Sequence, residues 1–269
     1  MEIIEVFGYI ASIFIGISLG VIGGGGSILT VPVLVYLLGT DPVPATAYSL
    51  FIVGLASVFG SVSYFRKGLV NLKTAVVFGI PSIVAVYSTR AFIVPAIPEN
   101  IITIGGFALT KGVMLMLLFA VLMILASYSM IKKKRPGADV EETGSEQKFN
   151  YPLILVEGLI VGMLTGFVGV GGGFLIIPAL VILSKLPMKE AVGTSLVIIA
   201  AKSLIGFTGE LGHGEIEWGF ILLVTAFAVV GIFIGMAISK RIKGEKLKPA
   251  FGWFVLVMGV YIFLKETVL

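Results

Sequence analysis

The sequence predicts an all-α polytopic membrane protein of two inverted-topology repeats, each a glycine-broken helical hairpin plus three transmembrane helices. Three observations carry that reading: an apolar composition, a series of apolar runs of membrane length, and an internal duplication around two glycine clusters.

Of the 269 residues, 58% are hydrophobic and only 13% charged, and the mean hydropathy is +1.11. A soluble domain carries about twice that share of charge, because its surface faces water. A soluble enzyme and a disordered chain are both excluded. Without Cys there is no disulfide framework, thiol nucleophile or thiolate metal site. A single His offers little to a metal centre, so neither metal nor cofactor is expected. The net charge of +4 and the pI near 9.2 do not indicate nucleic acid. Fifteen of the 34 charged residues lie in Lys132–Lys148 and Lys240–Lys248, between apolar runs, which is the pattern of cytoplasmic loops. The expected macroscopic partner is the lipid bilayer. The start, Met1-Glu2-Ile3-Ile4-Glu5, is acidic and its apolar run continues to Gly39. It reads as a retained membrane segment, since a secretory signal has a basic flank and a short apolar core.

Measured against a span of about 20 residues, the apolar runs are 6–22, 45–65, 74–93, 112–131, 152–169, 188–208, 219–238 and 249–268. Two shorter pieces, 27–38 and 174–184, follow the glycine clusters. Each reaches about 15–20 Å as a helix, too short for a hydrocarbon core of about 30 Å, and reads as a half-helix or re-entrant arm. Residues 132–150 form a charged linker between a first membrane repeat, 1–131, and a second, 151–269.

The two halves align without a gap at an offset of 146 from residue 16 to residue 72, with 17 identities in 57 positions against about five from composition alone. Gly16, Gly20, Gly23, Gly25, Gly26 and Pro32 meet Gly162, Gly166, Gly169, Gly171, Gly172 and Pro178, and Ser49, Ser57 and Gly60 meet Ser195, Ser203 and Gly206. Such duplication is common in secondary transporters. The distribution of basic residues decides its sense. With 132–150 cytoplasmic and each broken segment treated as a hairpin, fifteen of the 19 Lys and Arg residues fall inside and only Arg90, Lys111 and Lys265 outside. Counting each broken segment as one crossing leaves no bias. The repeats are therefore expected to be antiparallel, with both termini outside.

The clusters Gly23-Gly24-Gly25-Gly26-Ser27 and Gly169-Val170-Gly171-Gly172-Gly173 fit neither a dinucleotide fingerprint nor a P-loop. In hydrocarbon, broken backbone is tolerated only where it is buried or lines a cavity. A half-helix starting there would aim its positive end at that cavity, which suits an anion. Gly24, Gly25, Gly26, Ser27, Gly171, Gly172 and Gly173 are thus candidate substrate-binding residues. Gly16, Gly20, Gly162 and Gly166 read instead as small-residue packing faces, and Pro32 and Pro178 as residues that shape the arms.

Ser49, Thr194 and Ser195, with Tyr48, start the second and sixth spans. Their hydroxyls either contact a polar solute or bond within their own helices. Lys202 is the strongest ionisable candidate. Fourteen residues into its span, a lysine costs several kcal/mol unless it snorkels or meets an anion or a cavity. Glu210, on roughly the same face, is a candidate partner for it. Glu157 and Arg90 are expected at the interface, and His213 in an outer loop is a conceivable proton site.

The motif Gly-x-x-x-Gly-x-x-Gly-Gly-Gly-Gly-x(5)-Pro at 16–32, its copy at 162–178, and Ala191-Val192-Gly193-Thr194-Ser195-Leu196 resemble the sulfite exporter family, the TauE/SafE-like permeases. The resemblance covers essentially the whole chain. It implies a cytoplasmic-membrane permease for small, often sulfur-containing anions such as sulfite or organosulfonates. The sequence leaves open a homodimer, and coupling to protons or another ion. An anion channel on the same scaffold is the alternative reading. A membrane enzyme would need an acid–base or metal cluster that no span supplies, and a structural subunit would have no need of broken helices.

Overall fold

The computed structural model describes residues 3–104, 107–131, 151–182, 186–212, 215–239 and 244–268. The linker 132–150, Lys185 and His213 lie outside the described residues. All eight long runs are helices: α1 (Ile3–Ile22), α3 (Pro42–Arg66), α4 (Leu72–Ser88), α6 (Lys111–Ile131), α7 (Tyr151–Val168), α9 (Met188–Thr208), α10 (Trp218–Ser239) and α11 (Gly244–Val268). Shorter pieces are α2 (Thr30–Pro32), α5 (Val94–Ala96) and α8 (Gly173–Ile182). Among the described residues six segments are long and apolar enough to cross a membrane, and Pro152–Val168 is a shorter apolar helix. The chain is a polytopic α-helical membrane protein.

One of those six segments, Phe7–Leu37, is not a single rod. Its chain reverses at Gly23, so that Gly8 lies against Leu37 and Leu38, and Gly26 against Ser18 and Leu19. The first arm differs from the expected half-helix over 27–38. A 3₁₀ helix runs through the glycines themselves, Gly23–Leu29, followed by α2 and a π-helical turn, Val33–Leu37. Without side chains, the glycines tolerate the tighter winding, in which i and i+3 eclipse. In the second half the break stays non-helical from Gly169 to Gly172 and α8 follows it. Gly23 and its repeat mate Gly169 both have φ +73°. That left-handed backbone is open to glycine at no steric cost.

Helix packing follows the repeat. Gly16 and Gly20 of α1 lie on the backbone of α10 at Ala228, Ile232 and Met236, and Gly231 and Gly235 reciprocate against Ile13 and Ile17. In the other half Gly158 and Gly162 of α7 lie on α4 at Phe78 and Ser82, and Gly166 lies just beyond its end at Thr89. Both pairs run parallel, and each joins an arm-bearing helix of one repeat to a helix of the other. In lipid, where helices gain nothing by hiding apolar surface from one another, such small-residue faces provide the attraction through close van der Waals approach. The repeat mates α3 and α9 cross antiparallel at the centre: Leu50 meets Gly206, Gly54 meets Leu204, and Gly60 meets Leu196. Exposed Phe, Leu, Ile and Val side chains cover the outside, as a lipid-facing surface requires.

One feature lies outside the all-helical expectation. A short antiparallel hairpin, β1 (Asn100–Ile104) and β2 (Phe107–Thr110), connects α5 to α6. A π-helical turn, Thr89–Ile93, extends α4.

The glycine contacts give the first prediction. Gly20→Val forces a side chain onto backbone atoms of α10 and is expected to cost about 1–3 kcal/mol, as overpacking does, seen as a lower unfolding temperature in detergent. Gly219→Ala, where nothing lies within 4 Å, should leave that temperature unchanged.

Candidate anion site at the glycine breaks

The two breaks meet where α3 and α9 cross. The backbones of Gly24 and Gly173 are in van der Waals contact. Gly24 also faces Ile199 of α9, and Gly171 faces Val53 of α3, Ile199 and Ser203. Val53 and Ile199 are near the midpoints of their helices. Gly23 is seated against Val192, in the first turns of α9, and Gly169 against Thr46, in the first turns of α3. These contacts are related by the repeat offset, so each break is held by the other repeat.

Lys202 points into the second break. Its side chain is fully buried at 0% exposure, so it does not snorkel to the headgroups. Nζ donates to Thr165 Oγ1 at 2.9 Å, and Thr165 in turn donates to the Gly162 carbonyl at 3.1 Å. The hydroxyl therefore offers the ammonium a lone pair. That is the single hydrogen bond of Lys202 among the described residues, so two of its three N–H donors remain free. A Cβ on Gly172 would stand 2.7 Å from Nζ and would also collide with Thr165. Gly172 is therefore the residue that lets the ammonium reach the backbone. Its φ of +69° reinforces the requirement, since side chains rarely adopt that conformation. Beside it the N-terminus of α8 adds partial positive charge.

Glu210 is not the partner of Lys202. It reaches Arg90 instead, at 3.5 Å from Oε1 to Nη1. Arg90, expected at the interface, is 0% exposed. Face arithmetic along α9 could not detect a partner arriving from α4. Glu157 is half-buried on α7.

The hydroxyl candidates divide. Ser27 donates to Gly24 O at 2.8 Å, within the first break. Ser195 donates to Val192 O at 2.8 Å, within its own helix. Thr194 Oγ1 accepts from Asn71 N at 2.9 Å. Tyr48 repeats that contact in the other half, its hydroxyl accepting from Glu217 N at 3.2 Å. Positions 48 and 194, like 71 and 217, are repeat mates, so unlike side chains preserve one bond between the halves. Ser49 Oγ is buried with no partner among the described residues, as are Ser57 Oγ and Ser203 Oγ. Thr165 and Ser203 are the residues whose side-chain hydroxyls border the second break without being singled out by the sequence. Ser203 was visible as an identity of the repeat.

Two cavities open at the opposite ends of α3. One, of about 340 Å³, is bordered by Ser63, Arg66 and Lys67; the other, of about 320 Å³, by Asp41, Tyr48 and Glu217. The cavity at the end of α3 thus carries basic side chains and the one at its start acidic ones. Among the described residues no group of three His, Cys, Asp or Glu could hold a metal.

A lysine retained for its charge alone should be replaceable without loss of fold. Lys202→Met preserves the stem and removes a buried, underbonded charge. It is expected to leave stability unchanged or to raise it by about 1–3 kcal/mol, measured as the unfolding temperature in detergent. A drop of that size would make Lys202 a structural residue. Tyr48→Phe should cost about 1 kcal/mol in the same assay, and Thr194→Val a similar amount.

Relatives are consistent with a transport role. A "Probable membrane transporter protein" of Xylella fastidiosa is 28% identical over 251 residues, covering 92% of this chain and 90% of its own. "Probable membrane transporter protein MJ0441" of Methanocaldococcus jannaschii is 26% identical, with 94% of each chain covered. "Probable membrane transporter protein YunE" of Bacillus subtilis is 25% identical, covering 89% of this chain and 91% of its own. No solved structure matches the chain. The model of the family described as Sulfite exporter TauE/SafE matches residues 9–262, and the chain belongs to that family of membrane transporters.

Proposed function

We propose that the protein is a secondary transporter of small anions, sulfite or an organosulfonate, which bind at the bilayer midplane between the two glycine breaks. The observation that carries this reading is the fully buried Lys202 ammonium, with one hydrogen bond, against Gly172 at the start of α8. A lysine in hydrocarbon is costly unless an anion or a cavity compensates it, and a helix N-terminus beside it favours the same charge. Ser203 and Ser49 supply hydroxyls without partners, able to donate to substrate oxygens. Gly24–Ser27 and Gly171–Gly173 form the walls, while Thr194 ties the start of α9 to Asn71 and Ser195 bonds within its own helix.

Transport by alternating access is supported by the antiparallel crossing of α3 and α9 and by the exchange of each arm onto the other repeat. A pseudo-two-fold axis in the membrane plane relates the states open to either side when one half rocks on the other. The basic residues favour an orientation in the cell membrane with 132–150 in the cytoplasm and both termini outside. Family relatives named as transporters, together with the absence of a nucleotide-binding motif in the sequence, favour coupling to an ion gradient or none.

The test is uptake of radiolabelled sulfite into proteoliposomes, with and without an imposed pH gradient. Saturable uptake is expected from the wild type. Lys202→Ala should lower it by at least about tenfold, the equivalent of one lost charge-assisted contact, while Lys189→Ala, on the exposed start of α9, changes it less than about twofold. Equal losses would remove Lys202 from the site. Uptake that never saturates would favour a channel, and dependence on the gradient would identify proton coupling.

A further inference from the structure

We propose that Arg90 is a second anion site, on the side of Lys202 toward the chain termini, and that Glu210 closes it until an anion takes its place. This deepens the proposed function and rests on it for the identity of the cargo.

Arg90 lies in the π-helical turn Thr89–Ile93, a distortion that recurs at functional sites. It is 0% exposed and Glu210 is 15% exposed at its side chain. The pair is loosely made. Nη1 stands 3.5 Å from Oε1, and Nη2 donates to the Phe167 carbonyl at 3.4 Å. Nε and Nη1 of Arg90, and Oε2 of Glu210, are buried without hydrogen-bond partners. A pair built for stability would be bidentate, with bonds of about 2.7–2.9 Å. A buried guanidinium left underbonded is costly. The Nε–Nη1 edge of its planar fork, left without hydrogen-bond partners, matches two oxygens of a carboxylate, sulfite or sulfonate.

The location fits a relay. Phe167, bonded to Arg90, and Thr165, bonded to Lys202, lie two residues apart in the last turn of α7. Both cations therefore flank the turn that leads into the Gly169–Gly172 break. Glu210 follows Lys202 by eight residues, about 12 Å along a helix. Gly209 brings the end of α9 onto Ala91 and the stem of Arg90. The arrangement is one-sided. At the repeat offset, Lys202 and Thr165 correspond to Ala56 and Leu19, and Arg90 and Glu210 to Met236 and Tyr64. A symmetric scaffold thus carries a charged step on only one side of its centre.

The chain contains no Cys, so Glu210→Cys gives a single thiol in the full protein. Its labelling rate would be compared between an anionic reagent, 2-sulfonatoethyl methanethiosulfonate, and a cationic one, the trimethylammonium analogue. Adding Arg90→Gln is expected to lower the anionic-to-cationic rate ratio by at least about tenfold. Ethanesulfonate should slow anionic labelling of the single variant and not of the double. An unchanged ratio, or no protection by ethanesulfonate, would overturn the proposal. Labelling needs no flux, so the contrast can hold even where sulfite uptake fails, and that result would reject the cargo while retaining the site. Should Glu210→Cys not fold, Arg90→Gln with Glu210→Gln removes both buried charges together. In a Lys202→Met background that variant is then expected to bind ethanesulfonate at least about tenfold more weakly than Lys202→Met alone, read by ligand-induced thermal stabilisation in detergent. Equal binding would make the pair a structural contact and overturn the proposal.

Discussion

The architecture depends on the approach of bare backbone to bare backbone. Lipid tails are as apolar as leucine, so helices in a bilayer gain little by hiding apolar surface from one another. Attraction has to come from closeness, and here glycine provides it. Gly16 and Gly20 let α1 settle on the main chain of α10, and Gly158 and Gly162 let α7 settle on α4. Those two pairs anchor the arms. With α1 and α7 fixed, the chain that leaves each of them at Gly23 or Gly169 is pressed against the first turns of α9 or α3. Irregular backbone is thereby enclosed in protein, the condition under which hydrocarbon tolerates it.

On this symmetric frame the polar chemistry is not symmetric. Lys202 and Thr165 form a bonded pair in the second repeat, while their mates Ala56 and Leu19 are both fully buried apolar residues. Both members of the pair are polar in one half and both are apolar in the other. A lone lysine opposite a leucine would lack that acceptor, whereas the threonine hydroxyl would keep only its bond to the Gly162 carbonyl. The pair is coherent only as a unit. In contrast, the bond between positions 48 and 217 and its counterpart between 194 and 71 survives a change from tyrosine to threonine. The frame thus preserves the contacts that hold the halves together and varies those at the centre.

The fold was largely legible because its signals are strong ones. Eight apolar runs became eight helices, and the small-residue faces packed as their spacing implied. The hairpin at 100–110 went unread although Gly105-Gly106 lies between β-branched and aromatic residues, a turn signal hidden inside an apolar chain. The site was legible in its backbone and less so in its side chains. Lys202 and the glycines stand out by type and position. Arg90 does not, because proximity to a span end suggests a headgroup, and only the third dimension shows α7 and α9 closing over it. The tyrosine–threonine equivalence at 48 and 194 escapes any comparison that scores identity, since what is preserved is an oxygen at one point in space.

The exchange of arms between halves has a consequence for biosynthesis. The partner of α1 is α10, which begins at Trp218, nearly two hundred residues after α1 ends. At about 5–20 residues per second, α1 waits roughly 10–40 s in the bilayer with its glycine face uncovered before its docking helix emerges from the ribosome. The first repeat cannot be finished when it is inserted. Its assembly is a late event, completed by the second repeat, and a chain truncated at the central linker is left with an orphaned helix that invites pairing with a neighbour or removal by proteolysis.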